Sequence, residues 1–286
     1  SPEDGQSHSK GPARQDEALR AFDAALDLDN GSYDTWFNKG SILVKLRRFE
    51  EALSALESSL NLENSIADVW LLKGSVLFET GQFGEALEAF ERTIALAPDN
   101  NAAWYRKGKT YIELGSPEDA ITCFEQVITN DQTCAPAWLK KGSTLLSLSR
   151  YEPALDALTR ALDIKPGSAY GWYDRAIALL ELGRYEEAVL SYDRVLAINP
   201  RYANAWYDKG IALSKLGKDM QAVEAFEQAT TIDAKFVNAF YDMGLAFARL
   251  ARDKDAIASF DRVTSLDPAH ALAYYHKGLS LKNLNR

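Results

Sequence analysis

Tryptophan recurs every 34 residues in this chain, at Trp36, Trp70, Trp104, Trp138, Trp172 and Trp206, and Phe240 and Tyr274 continue the series. A period of that length, held without an insertion, means that one supersecondary unit is repeated and that each unit buries its apolar faces against its neighbours. This overrides the expectation of about two domains that 286 residues would otherwise carry. Other positions keep the same phase. Four residues after each aromatic stand Gly40, Gly74, Gly108, Gly142, Ala176, Gly210, Gly244 and Gly278. Sixteen after it comes alanine, at Ala52, Ala86, Ala120, Ala154, Ala188, Ala222 and Ala256. Four further on comes a bulky residue: Leu56, Phe90, Phe124, Leu158, Tyr192, Phe226 and Phe260. Proline closes several units, at Pro98, Pro166, Pro200 and Pro268.

Each recurring position has a physical cause. Trp36, Gly40 and Leu43 are spaced 4 and 3, which places them on one helical stripe. Leu53, Leu56 and Leu60 form a second such stripe, and Gly81, Gly115, Gly183 and Gly217 fall between the stripes, where the chain turns. Every unit is therefore two antiparallel helices of about 13 residues, each about 20 Å long. A glycine inside a helix costs about 1 kcal/mol relative to alanine, so its recurrence implies a steric need. The expectation is that the second helix crosses there and lays its periodic alanine on the bare backbone. Proline cannot continue a helix interior and marks the link to the next unit.

The pattern W-x3-G-x2-L-x8-A-x3-F-x7-P resembles the tetratricopeptide repeat, over about residues 15–286. Departures are small: Arg47, Ser149 and Ala251 replace the turn glycine, and Asn64, Gln132 and Ala234 the proline. The resemblance implies an all-α fold, a right-handed α-solenoid of antiparallel helix pairs with a concave groove lined by the first helix of each pair. The expected organisation is a half repeat at 14–32, seven full repeats at 33–270 and a half repeat at 271–286. Residues 1–13 are polar and aperiodic, and are expected to be a disordered tail or an expression remnant.

Composition narrows function by exclusion. A net charge of −9 argues against a nucleic-acid partner, which needs a concentrated basic face. Residues 169–286 balance acid and base, so the excess acid precedes Ser168. No apolar run is long enough to span a membrane, and no secretory signal is visible. Cys123 and Cys134 fit neither zinc spacing nor a disulfide framework, so two free thiols and a cytoplasmic location are expected.

Catalytic and cofactor chemistry finds little support. The stretch Ala103–Thr110 resembles the end of a phosphate-binding loop, but it lacks the first glycine and keeps the helical register of the other units. Asn30-Gly31-Ser32 is a formal glycosylation acceptor that reads as an inter-repeat turn. His8, His270 and His276 do not cluster with acids or thiols as a metal site or catalytic triad requires. Acid pairs such as Glu186-Glu187 begin second helices, where the helix dipole favours them. No metal, cofactor or enzymatic activity is expected.

The family resemblance implies that residues one, two and five after the tryptophan face the groove. The expected partner-binding residues are Asn38, Arg106, Lys109, Lys140, Tyr173, Asp174, Tyr207, Asp208, Tyr241, Asp242, Tyr275 and His276. The middle of this surface is basic, while a Tyr-Asp pair recurs in three later units. The carboxylate clamp of the chaperone-tail receptors and the asparagine ladder of the sugar-transferase arrays are both absent. Tyrosine at such positions can serve packing or contact a ligand, whereas aspartate has no packing reason there and is the better mark of ligand contact. The function expected is a non-catalytic protein–protein interaction scaffold that takes a protein or peptide, with basic segments preferred through the acidic ladder. Two alternatives stand beside it: the targeting arm of a larger enzyme, and a structural element that self-assembles head to tail through residues 15–28 and 271–286.

A cation also precedes the glycine, at Lys39, Lys73, Lys107, Lys141, Arg175, Lys209 and Lys277, with Met243 the exception. An acid recurs at Glu57, Glu91, Glu125, Asp193, Glu227 and Asp261, missing at Thr159. Equal periods predict ion pairs between first and second helices.

Overall fold

The computed structural model describes residues 10–285, and among these it contains sixteen helices. They fall into two compact units, the first ending at Gln132 and the second beginning at Thr133. In the first, α1 (Lys10–Leu28) precedes three antiparallel pairs: α2 (Tyr33–Lys45) with α3 (Phe49–Leu62), α4 (Ala67–Glu79) with α5 (Phe83–Leu96), and α6 (Asn101–Glu113) with α7 (Pro117–Asn130). The second holds α8 (Ala135–Ser147) with α9 (Tyr151–Ile164), α10 (Ala169–Glu181) with α11 (Tyr185–Ile198), α12 (Ala203–Lys215) with α13 (Asp219–Ile232), and α14 (Val237–Arg249) with α15 (Asp253–Leu266). Helix α16 (Ala271–Leu284) then packs on α15.

Helix α1 starts four residues ahead of the boundary expected at Arg14. Pro12 lies in its first turn, where a missing N–H leaves no intrahelical bond unmade. Residues 1–9, and with them most of the expected disordered tail, lie outside the described residues.

Side-chain caps start several first helices. Ser32 accepts from the Thr35 N–H at 3.3 Å, Asn100 from Ala103 at 2.9 Å and Ser168 from Gly171 at 3.1 Å. Ser32 of the formal glycosylation triplet is thus the N-cap of α2. The stretch Ala103–Thr110 lies within α6. Each pair then turns through one left-handed residue. Gly81, Gly115, Gly183 and Gly217 have φ of 70–78°, and Arg47, Ser149 and Ala251 adopt the same region at 58°, 57° and 54°. The departures from glycine therefore keep the turn geometry and accept its strain.

The periodic alanines Ala52, Ala86, Ala120, Ala154, Ala188, Ala222 and Ala256 are fully buried. They are not what fills the space over the glycine, and this corrects the expectation. The bulky residue four positions later does so: a Cβ added to Gly74 would lie 2.7 Å from the Phe90 ring, one on Gly210 2.5 Å from Phe226, and one on Gly142 2.6 Å from Leu158. The glycine is bare because a ring edge or a leucine rests on the helix backbone.

Two devices join one pair to the next. The indole N–H of Trp36, Trp70, Trp104, Trp172 and Trp206 donates to the carbonyl six residues earlier, at 2.8–3.1 Å, and fastens the incoming turn. The paired ladders are also present, each linking a second helix to the first helix that follows it. Lys39 meets Asp23 at 2.7 Å, Lys73 meets Glu57 at 3.0 Å, Lys107 meets Glu91 at 3.0 Å, Lys209 meets Asp193 at 2.6 Å and Lys277 meets Asp261 at 2.5 Å. Lys39, Lys73, Lys107 and Lys209 also lie 5.1–5.7 Å over the ring of the tryptophan three residues before.

Candidate functional site

The residues expected to line a binding face are divided between the two units. In the first, Asn38 turns its amide back to the Asp34 carbonyl at 2.9 Å, within its own helix. Arg106 is exposed, and the Lys109 ammonium sits 4.7 Å over the Phe78 ring of α4. The other nine residues belong to the second unit, so the basic middle of the sequence, Arg106, Lys109 and Lys140, is shared between separate bodies.

Within the second unit the tyrosines and aspartates form a relay from one first helix to the next. The Tyr173 hydroxyl on α10 donates to Asp208 on α12 at 2.6 Å, and the Tyr207 hydroxyl donates to Asp242 on α14 at 2.8 Å. Leu139 stands where a preceding tyrosine would be, and Ser143 donates to Asp174 in its place. The three aspartates therefore have a bonding role inside the array, which the sequence did not suggest. The register explains it: a residue one after the tryptophan and a residue two after the next tryptophan are 35 apart and meet across adjacent first helices.

The same helices stack rings. Tyr173 lies 4.9 Å from Tyr202, Tyr207 4.9 Å from Phe236 and Tyr241 4.9 Å from His270. Residues 202, 236 and 270 share the 34-residue phase and sit in the turns ahead of the next first helix, so the period itself could have flagged them. Tyr173, Tyr207 and Tyr241 also touch the core rings Tyr192, Phe226 and Phe260 at 5.8–6.0 Å. Packing thus occupies these tyrosine rings. His276 takes the place of a fourth aspartate, half-buried against Tyr241 and Phe260, each at 5.9 Å, while Tyr275 beside it is 61% exposed.

Burial raises the pKa of Asp174, Asp208 and Asp242. The hydrogen bonds from Ser143, Tyr173 and Tyr207 oppose that shift, as do Lys140 at Asp174 and Arg249 and Lys215 at Asp242. Burial, followed by the hydrogen bond to Asp208, pushes the Tyr173 hydroxyl far up, so it remains a donor. Each aspartate spends one oxygen on its donor. All three aspartates are half-buried, and among buried side-chain nitrogen and oxygen atoms of the described residues the Tyr192 hydroxyl alone lacks a partner.

Among the described residues no group of His, Cys, Asp and Glu is placed to hold a metal ion, and no helix is long and apolar enough to cross a membrane. Cys123 is buried, Cys134 is half-buried, and neither is in a disulfide.

Family models described as tetratricopeptide repeat match residues 14–68, 77–142 and 157–189, and another of that description matches 135–168, 203–236 and 237–270. One described as TPR repeat matches 177–217. The chain belongs to the tetratricopeptide-repeat family, whose arrays serve as scaffolds for protein–protein interaction and are in general non-catalytic modules. No curated protein matches it in sequence. Among solved structures it is similar to the C-terminal part of a TPR repeat-containing protein from Cytophaga hutchinsonii, with 17% identity, a TM-score of 0.72, and 84% of this chain and 98% of that one covered. It is also similar to the MamA protein, with 26% identity, a TM-score of 0.57, and 59% and 92% covered. A third is YrrB, a TPR protein with an unusual peptide-binding site, with 21% identity, a TM-score of 0.59, and 67% and 98% covered.

Proposed function

We propose that the first-helix face of the second unit binds an extended segment of another protein and selects basic side chains. The observation that carries this is the row of half-buried carboxylates Asp174, Asp208 and Asp242, each held on one oxygen by Ser143, Tyr173 or Tyr207. A carboxylate fixed by a neighbour's hydroxyl meets a lysine or arginine without reorganising, which lowers the cost of binding. The tyrosines hold the acids in place, and the exposed Tyr275 ring offers a further surface for a cation. Lys-rich peptides should bind in preference to Glu-rich ones, more weakly as salt rises, and Asp208→Asn with Asp242→Asn should remove the preference. Equal binding of both charge types at low salt, measured by calorimetry, refutes the proposal. Two unpaired thiols agree with the cytoplasm as the place where it meets its partner.

A second reading, head-to-tail self-association through residues 15–28 and 271–286, is favoured by one observation. A Cβ at Gly278 would meet nothing within 4 Å, whereas its counterparts at Gly74, Gly108, Gly210 and Gly244 are covered by a phenylalanine ring. Leu272, Tyr274, Leu279 and Leu281 of α16 are 40–58% exposed. In this reading the Phe22 ring of α1 of a second copy covers Gly278. Mass should rise with concentration in light scattering, and Leu281→Asp should abolish the rise; a strict monomer at high concentration rejects self-assembly.

A further inference from the structure

The ladder of ion pairs fails at two places in the second unit, at Met243, which carries no charge, and at Arg175, where the cation is left without a carboxylate partner. Arg175 on α10 stands where Lys39, Lys73, Lys107, Lys209 and Lys277 each meet a carboxylate 16 residues earlier, but position 159 holds threonine. The half-buried guanidinium makes do with hydroxyls: Nε donates to Thr159 Oγ1 at 3.3 Å and Nη1 to Ser191 Oγ at 2.5 Å. These bonds engage Nε and Nη1, which leaves Nη2 as the donor available to a ligand on this half-buried side chain. The indole of Trp172 backs the group at 5.6 Å. It borders a pocket of about 600 Å³ lined by Trp138, Leu155 and Thr159 together with the charged Asp156, Arg160, Asp163 and Arg184.

One repeat later a groove of about 630 Å³ also lies beside the cation, but there Lys209 is already paired with Asp193 at 2.6 Å. We propose that the Arg175 pocket is a second binding site, distinct from the first-helix face, that takes a single carboxylate from an acidic protein segment. A guanidinium already held on two of its nitrogens presents its remaining donor in a fixed direction, which suits a planar carboxylate better than a mobile ammonium would. Trp138 and Leu155 supply an apolar wall for the residues flanking the acid. Arg184 is already engaged, by Glu187 at 2.7 Å, and Glu187, then Asp163, lend Arg175 some negative field without a direct contact. The two acids in the lining repel a doubly charged phosphate more than a carboxylate, which is why the carboxylate is the ligand assigned. Burial disfavours the charge of Arg175, and a bound carboxylate relieves that cost.

The experiment restores the missing rung. Thr159→Glu places an intramolecular acid where the other units carry one, so the variant folds at least as well as the parent and fills the pocket from within. The probe is a blocked hexapeptide of alternating Glu and Leu, followed by calorimetry or by Trp fluorescence. Its Gln-Leu counterpart and inorganic phosphate serve as controls. The Glu-Leu peptide should bind the parent at least about tenfold more tightly than it binds Thr159→Glu or Arg175→Gln. The Gln-Leu peptide should bind weakly to all. Equal binding by parent and Thr159→Glu overturns the proposal. Equal affinity for the Gln-Leu peptide overturns it too, and so does displacement of the peptide by phosphate at comparable concentration.

Discussion

Tyr192 occupies the core position that Phe90, Phe124, Phe226 and Phe260 fill in other units, and like them it is fully buried. Its hydroxyl has no hydrogen-bond partner, and burial pushes its pKa far up. The neighbouring Tyr173 hydroxyl is already committed to Asp208. Leaving a buried donor unsatisfied costs about 1–3 kcal/mol, whereas a phenylalanine has nothing to satisfy. Removing one oxygen opens little space, so Tyr192→Phe should raise stability by about 1–2 kcal/mol. Spread over the second unit, that corresponds to a melting-temperature rise of about 2–8 °C. The assay is equilibrium denaturation followed both by circular dichroism and by Trp fluorescence, because coincident curves are needed before a single free energy is read from a repeat array. The reciprocal change, Phe226→Tyr one unit on, should lose a similar amount. A loss of 1 kcal/mol or more in Tyr192→Phe would refute the reasoning, since it would mean that the hydroxyl is bonded in solution.

Further predictions follow the same logic. Gly210→Ala should destabilise by about 1–2 kcal/mol despite better helix propensity, because its Cβ would lie 2.5 Å from Phe226, whereas Gly278→Ala, with nothing within 4 Å, should gain about 0.5–1 kcal/mol. Urea midpoints moving the same way in both variants would contradict the packing account. Ala251, left-handed at φ 54°, should gain about 1 kcal/mol on change to glycine, and an unchanged midpoint would show that the turn carries no strain. Asp208 has its pKa raised by burial above 3.8, so its contribution favours folding below that value and is lost as pH rises through the folded pKa. Asp208→Asn keeps an acceptor for Tyr173 and should therefore be more stable than the parent at pH 7, with the advantage disappearing below about pH 3.8. An advantage of the same size at both pH values argues against the titration.

The sequence by itself determined the unit, its two helices, its turns and its inter-helix ion pairs. Those features depend on spacing along one chain: Trp36 and Gly40 share a helix face, Gly81 marks a left-handed turn, and the equal periods of Lys73 and Glu57 are enough to pair them. Tertiary structure decided what each side chain touches across a helix crossing. It assigned the Phe90 ring, not Ala86, to the bare surface of Gly74, because the ring projects further than a methyl at that crossing. It bound Tyr173 to Asp208 through a 35-residue offset that links adjacent first helices, so an aspartate with no local reason to be there became half of a hydrogen bond. It also left Arg175, beside a pocket, bonded to the hydroxyls of Thr159 and Ser191 where other units form an ion pair. A period records which residues recur on a face; the distance and angle at which two faces meet depend on every side chain between them, and only the packed helices fix both.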